Sequence, residues 1–160
     1  MMISLLGTSY FAKLIMTAVI AMLPILELRG AIPIAVAAGV DLIPAFIASI
    51  IGNLIPVPFI IIFIRKIFKW MQSKSKKLHA LVDKIEKRAE PKKEKVLKYE
   101  WWGLFVLVAI PLPGTGAWTG ALVAALLDMR VKRAFPAIAL GVVAAGLIVG
   151  FLTYGVKIIV

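Results

Sequence analysis

Cysteine is absent from the 160 residues of this sequence, and histidine occurs only once, as His79. Disulfide bonds and thiolate metal sites are therefore excluded, and a metal site built on a lone histidine is not expected. Acids are also few, eight against nineteen lysines and arginines. The apolar segments contain no nucleophile beside a base, so we expect neither an enzyme nor a cofactor.

Charge is scarce over most of the chain. Hydrophobic residues make up 62% and charged residues 17%, and thirteen of the nineteen cations lie between Arg65 and Lys98. A soluble domain carries about a quarter charged residues, and a chain this short could not bury so much apolar surface. Apolar blocks around a basic connector are typical of an integral membrane protein. We expect membrane lipids as partners, and no nucleic acid.

Two blocks are long enough to cross a bilayer, residues 42–64 and about 134–157. Each contains 23 successive uncharged residues. About 20 helical residues cross a hydrocarbon core of ~30 Å, so we predict a transmembrane helix for each block.

The block at 101–127 is interrupted at its centre by PLPGTG, residues 111–116. Its two prolines remove backbone donors, so a single straight helix is not expected. The basic connector before the block and the three cations at 130–133 after it should both be cytoplasmic. The block then enters and leaves on one side, which predicts a re-entrant hairpin at about 101–128.

An N-terminal hairpin at about 14–40 is predicted by analogy. Apolar residues 14–26 are followed by ELRG at 27–30, and Pro33 interrupts the second arm. A plain crossing from Lys13 to Asp41 is the alternative that the charges leave open. At residue level the analogy pairs Gly30–Ala31 with Gly116–Ala117, and Pro44 with Pro136.

The predicted fold is an all-α integral membrane protein with two transmembrane helices and two re-entrant hairpins in inverted repeats. The first repeat is 1–64 and the second is 101–160. The connector at 65–100 has Leu78, Leu81, Val82 and Ile85 at helical spacing, which predicts an amphipathic cytoplasmic helix. That helix either sets the topology or binds anionic lipid or a partner. Because the spans are few, we expect a homodimer.

Glu27 and Arg29 are the clearest candidates for function, because an ionisable group at membrane depth costs roughly 2.5–3.5 kcal/mol. In one interpretation they form a structural ion pair that holds the hairpin tip. In the other, the planar fork of Arg29 binds an anionic head group and Glu27 takes up and releases a proton. Burial favours neutral Glu27 and a neighbouring arginine favours its charged form, so occupancy would change its protonation.

The second tip supplies glycines, the hydroxyls of Thr115 and Thr119, and a helix N-terminus whose positive end faces the cavity. The alternative is that its small residues only allow close helix packing. Asn53 and Pro56, with Pro58, interrupt the first span. They either line the same cavity or form a kink bonded to neighbouring helices.

The motifs ELRGAIP (27–33) and PLPGTGAWTG (111–120), separated by a span and a basic connector, resemble the small multidrug export protein family over nearly the whole chain. That family resembles, more distantly, the DedA membrane proteins, whose paired hairpins imply transport of polyprenyl-phosphate lipid carriers. The second arginine that DedA proteins would lead one to expect is absent from the PLPGTG tip. The residues that match the family motifs are Glu27, Arg29, Gly30, Pro33, Pro111, Pro113, Gly114, Thr115, Gly116, Trp118 and Gly120.

We therefore expect a multi-pass protein of a prokaryotic plasma membrane. Its predicted function is proton-linked transport or flipping of an amphiphile with an anionic head group. Export of cationic hydrophobic drugs, with Glu27 as the coupling acid, is an alternative, but such a drug would bind beside the fixed charge of Arg29. A structural protein without transport is the third hypothesis.

Overall fold

The computed structural model describes residues 9–74, 93–112 and 114–159, and all secondary structure in these ranges is helical. The amphipathic helix predicted from residues 78–85 of the connector lies outside the described residues. The helices are α1 (Tyr10–Met22), α2 (Glu27–Ala37), α3 (Leu42–Leu54), α4 (Pro56–Lys74), α5 (Lys93–Ala109), α6 (Ala117–Leu126) and α7 (Val131–Ile159).

Two stretches are long and apolar enough to cross a membrane, as predicted. They are Leu42–Ile67 and Val131–Val156, each of 26 residues with a mean hydropathy of 2.4. The first is not one continuous helix, because α3 ends at Leu54 and α4 begins at Pro56. Pro56 has no N–H, so the carbonyl of Gly52 loses its helical donor at this break.

The two spans run in opposite directions. Near the start of α3, the ring of Phe46 packs against Gly146 in the later half of α7, where a methyl group on the glycine would lie 2.7 Å from a ring carbon. At the other end, Arg65 of α4 donates from Nε to Asp128, which precedes α7 (2.7 Å). The end of one span therefore lies beside the start of the other.

The N-terminal block folds back on itself between α1 and α2. Lys13 Nζ donates to the carbonyl oxygen of Ala38 (2.8 Å), and the hydroxyl of Tyr10 donates to Asp41 (3.4 Å). Both ends of residues 14–40 thus meet at one end of the molecule. The arms have 13 and 11 residues, or roughly 16–20 Å of helix each.

The two halves of the chain have the same pattern of burial. All twelve buried residues from Glu27 to Ile61 have a buried counterpart 89 positions later, from Gly116 to Gly150. This register pairs Glu27–Leu28 with Gly116–Ala117, so it replaces the pairing of Gly30–Ala31 with Gly116–Ala117 predicted from sequence. The sequence comparison followed small-residue identity, whereas the structure aligns the starts of α2 and α6.

The turns that follow α2 and α6 are also equivalent. Gly39 (φ 83°) and Asp128 (φ 51°) both have left-handed backbones. The next residues, Val40 and Met129, are buried and donate to the carbonyls of Ala35 and Ala124 (2.9 Å each). This is the hydrogen bonding of a Schellman motif, with its usual apolar residue after the turn. Each motif joins a second arm tightly to the span that follows.

Close contact between first arm and span depends on a glycine in each half. A methyl group on Gly52 would overlap the backbone carbonyl of Ala18 in α1, and one on Gly141 would lie 2.9 Å from the Phe105 carbonyl in α5. We expect Gly52→Ala to destabilise the protein by about 2–3 kcal/mol, since backbone cannot move aside easily. The measurement is denaturant-induced unfolding in detergent micelles.

Gly103→Ala is the matched control, because Gly103 lies in the helical interior of α5 with no atom within 4 Å of an added methyl group. Helix propensity alone should raise its stability by up to ~1 kcal/mol. Equal effects at the two positions would contradict the close packing of α1 on α3.

Candidate functional site

The two hairpin tips meet each other. The first tip, residues 23–26, separates α1 from α2, and the second tip, residues 110–116, separates α5 from α6. The indole N–H of Trp118, at the start of α6, donates to the carbonyl oxygen of Met22 at the end of α1 (3.0 Å). This bond and those of Glu27 and Arg29 join the tips of the two halves.

Glu27 caps the N-terminus of α6. The backbone N–H of Trp118 donates to its carboxylate (3.1 Å), and the other carboxylate oxygen lies against Gly116. Gly116 is the N-cap of α6 and has no side chain to accept from the first amides. Glu27 therefore supplies, from the other half of the chain, the negative group that a helix N-terminus favours.

The backbone of Glu27 is itself unusual. Its φ is 47°, in the left-handed region, and its counterpart Gly116 has a φ of 128°. A residue with a side chain adopts such a conformation rarely, and mostly where its surroundings impose it. Glu27 is also only 4% exposed. The left-handed turn directs this carboxylate into the contact between the tips.

Arg29 binds the opposite side of the second tip. Its guanidinium donates from Nη1 to the carbonyl of Leu112, and from Nη2 to the carbonyl of Ile110 (3.3 Å) and the hydroxyl of Thr115 (2.9 Å). These acceptors follow the end of α5, where carbonyls lack helical partners and the helix dipole is negative. Glu27 and Arg29 thus bind the two helix ends of the second hairpin instead of each other.

Arg29 and Trp118 occupy equivalent positions in the two halves, 89 residues apart. Arg29 donates to carbonyls beyond the end of α5, and Trp118 donates to a carbonyl at the end of α1. Each half therefore uses the residue at this equivalent position, Arg29 or Trp118, to bind the end of the first arm of the other half. The difference is that only the first half contributes charge.

An open pocket of about 450 Å³ lies between the tips. This volume is within the range of about 300–1,000 Å³ that small-molecule sites occupy. Its lining combines two charges, two hydroxyls and the tip backbone, and Thr119 donates to the carbonyl of Gly114 (2.9 Å). The lining residues are Pro24, Ile25, Glu27, Arg29, Pro111, Gly114, Thr115 and Thr119.

Six of the residues predicted from sequence therefore line one pocket, and the others lie elsewhere. Gly116 and Trp118 contact Glu27 without lining the pocket, and Pro113 lies outside the described residues. Gly120 packs closely, since an added methyl group would lie 2.6 Å from Val108. The predicted residues that do not line this pocket in the described part are Gly30, Pro33, Gly116, Trp118, Gly120, Asn53 and Pro56.

Sequence reasoning missed Pro24, Ile25 and Met22. Pro24 precedes ELRG as Pro111 precedes PGTG. This similarity could have indicated that Pro24, like Pro111, lines the pocket. Met22 acts through its backbone carbonyl, which leaves no trace in the choice of side chain.

A family model described as "Putative small multi-drug export protein" matches residues 27–148. The match begins at Glu27 and includes both tips, the pocket charges and most of α7. No curated protein and no solved structure matches the chain significantly. The more distant resemblance to DedA proteins stays a prediction. With about three quarters of its length matched, including every charged residue of the pocket, this membrane protein belongs to the small multi-drug export protein family.

Proposed function

We propose that the protein is a proton-linked transporter for an amphiphile with an anionic head group, such as a polyprenyl-phosphate lipid carrier, and is not an enzyme. The observation that carries this proposal is the position of Glu27 and Arg29. An internal carboxylate occupies a helix N-terminus, where anions bind, and an arginine lines the same open pocket.

In this proposal the tips belong to re-entrant hairpins of an inverted repeat. The shared burial register, the equivalent turns and the antiparallel spans support it. The lengths of α1 and α2 support it too, because roughly 16–20 Å is about half of a ~30 Å hydrocarbon core. The pocket would then lie near the membrane midplane, where inverted-repeat transporters bind their substrates.

Glu27 acts as an exchangeable internal anion. While charged, it holds the N–H of Trp118; once protonated, it is a poorer acceptor and leaves the N-terminus of α6 free for a ligand phosphate. Arg29 retains one N–H, at Nε, without a partner among the described residues. One proton and one anionic charge enter together, so the site keeps its net charge at membrane depth, where charge is costly.

The family description supports a second candidate, export of hydrophobic drugs, which are commonly cations. The pocket contains carbonyl acceptors that a cation could use, but Arg29 already occupies those of Ile110 and Leu112. A cationic drug would have to displace this arginine or bind beside it against strong repulsion. We therefore place the anionic amphiphile first.

A homodimer is part of the proposal. Ile25 is 92% exposed and Leu112 is 56% exposed, so the rim of the pocket is open and apolar. Irregular backbone at membrane depth is tolerated where protein covers it or water reaches it. A second copy beside the tips would cover the rim while leaving the pocket hydrated.

The test is ligand-induced thermal stabilisation of the purified protein. Titration with a polyprenyl phosphate should raise Tm. At a hundredfold excess of ligand over Kd, binding should add about 2.7 kcal/mol to the free energy of unfolding. The shift should be lost in Arg29→Gln. A shift given instead by a lipophilic cation such as tetraphenylphosphonium, and lost in Glu27→Gln, would establish drug export. No shift with either ligand would argue for a structural role.

A further inference from the structure

Two polar side chains of α3 are completely buried and lack partners. Ser49 and Asn53 are both 0% exposed. The hydroxyl of Ser49 and both the oxygen and nitrogen of the Asn53 amide have no hydrogen-bond partner in the described part of the chain. Buried polar atoms are nearly always satisfied by protein, water or a ligand, so these three atoms indicate that a water molecule or ligand binds here.

Packing does not require polar residues here. In the register that aligns the two halves, the counterparts of Ser49 and Asn53 are Ile138 and Val142, which are also 0% exposed. The second half fills the same positions with apolar side chains. Ser49 and Asn53 are therefore a specific feature of the half that contains Glu27.

The surroundings of this pair add further polar groups. Ser49, Gly52 and Asn53 share one face of α3, and Pro56 follows on that face. Because Pro56 has no N–H to donate, the carbonyl of Gly52 can accept a hydrogen bond from a water molecule or ligand. Gly52 packs on Ala18 of α1, next to Thr17, which is 3% exposed. Thr17, Ser49, Asn53 and Glu27 are the buried polar residues of the described chain, and all lie in the first half.

Asn53 and Glu27 are equally far along their helices from the turn that joins α2 to α3. They stand twelve residues from Asp41 and Gly39 respectively, on two helices that pack against each other. Each is thus about 18 Å from the turn between α2 and α3. Between that turn and Thr17, a small cavity of about 10 Å³ is lined by Lys13, Met16, Thr17, Ile20, Ile34, Ala35, Ala38 and Val40. This is room for about one water molecule.

We propose that Ser49 and Asn53 hold ordered water molecules that carry protons between Glu27 and the end of the molecule at the α2–α3 turn. Two waters suffice for these atoms, because one can accept from the Asn53 amide nitrogen, and their four O–H groups can donate to the Asn53 oxygen, the Ser49 hydroxyl and the Gly52 carbonyl. Each water accepts a proton from one neighbour and releases one to the next, so nothing is consumed. This inference rests on the proposed proton exchange by Glu27.

Few charges act on Glu27 itself. Arg29 is the charged group that faces it. The sequences of α3, α6 and the second tip contain no charged residue, and α1 has only Lys13 near its far end. In α7, Lys132 and Arg133 lie at the start and Lys157 near the end. Because no second carboxylate lies beside Glu27 among the described residues, water is the carrier that can bring it protons.

The experiment follows the protonation of Glu27 by infrared spectroscopy of the full chain in lipid nanodiscs after rapid acidification. The C=O stretch of the protonated carboxyl group is identified by its loss in Glu27→Gln. Asn53→Leu keeps the branching of the side chain but removes its polar atoms, and it should slow the appearance of this band about tenfold, the rate equivalent of one lost hydrogen bond. Its final amplitude should not change. Ser49→Ala should slow it in the same direction without adding volume.

Two variants separate a proton route from packing. Asn53→Ser replaces the amide with a hydroxyl, which also donates and accepts hydrogen bonds, and leaves room for another water, so its rate should match the wild type. Ile138→Leu changes the counterpart of Ser49 at constant volume and should also leave the rate unchanged. A wild-type rate in both Asn53→Leu and Ser49→Ala, with a normal band, would overturn the relay alone. A wild-type protein without a Glu27 band would overturn both the relay and proton-linked transport.

Discussion

Gly116→Ala should be among the most damaging single substitutions in this protein, with a loss of about 3–5 kcal/mol of stability. The glycine has a φ of 128°, which a residue with a side chain adopts only under strain. An added methyl group would also overlap the carboxylate of Glu27. The substitution therefore pushes Glu27 away from the Trp118 amide. Reversible unfolding in mixed detergent micelles measures the effect.

Gly114→Ala is the control for the backbone alone. Gly114 also has a positive φ, of 83°, but no atom lies within 4 Å of an added methyl group. It should cost about 1 kcal/mol. In the Gly116→Ala background, Glu27→Ala should recover the steric part of the loss, which a double-mutant cycle measures. Equal losses at the two glycines, with no recovery, would show that Glu27 does not rest on Gly116.

Arg29→Gln should cost about 2–4 kcal/mol, even without any ligand. The substitution removes the charge-assisted hydrogen bonds by which Arg29 joins the first half of the chain to the second tip. Arg29→Lys should recover less than half of the loss, because an ammonium group lacks the planar fork that reaches several acceptors. The same unfolding assay applies.

Arg65→Gln provides the matched comparison for loss of an arginine. Arg65 pairs with Asp128 (2.5 Å), but the two side chains are 24% and 65% exposed. Solvent-exposed pairs contribute little, so this change should cost less than ~1 kcal/mol. If Arg29→Gln were as mild as Arg65→Gln, the guanidinium would not hold the second tip.

The sequence contained enough information to locate the break between α5 and α6 and the two charged residues. The first break was predicted at ELRG, which is wrong, because α1 ends at Met22 and α2 begins at Glu27, so the break lies at residues 23–26. Uncharged length predicts α7, and the prolines and glycines of PLPGTG predict the interruption after α5, because proline removes donors wherever it stands. Glu27 and Arg29 stand out because charge at membrane depth is costly and seldom accidental. These signals are local, so they survive without knowledge of the fold.

The partners of those charges could not be predicted. A direct ion pair between Glu27 and Arg29 was one interpretation of ELR, since a single residue separates them in sequence. The structure instead directs each toward backbone groups more than eighty residues away, at Trp118 and Leu112. Backbone amides and carbonyls are present in every residue, so no sequence pattern marks which of them will become acceptors or donors.

The role of Asn53 was left open for a related reason. Its position in a proline-interrupted span was compatible with a cavity or with a bonded kink, and the structure places it in neither the tip pocket nor a hydrogen bond with described residues. Only the comparison with Val142, its counterpart in the second half, shows that an amide is not needed for packing. That comparison requires the 89-residue register, which sequence identity alone did not provide.

The turns after α2 and α6 determine how the protein can move. Because each turn is closed by two backbone hydrogen bonds and a buried side chain at Val40 or Met129, the second arm and the start of its span form one rigid body. The tips have no such turn, and Glu27 against Gly116 is one of several contacts between the two halves. In the proposed transport cycle we therefore expect each second arm to move together with the start of its span, so that the pocket opens and closes at the tips.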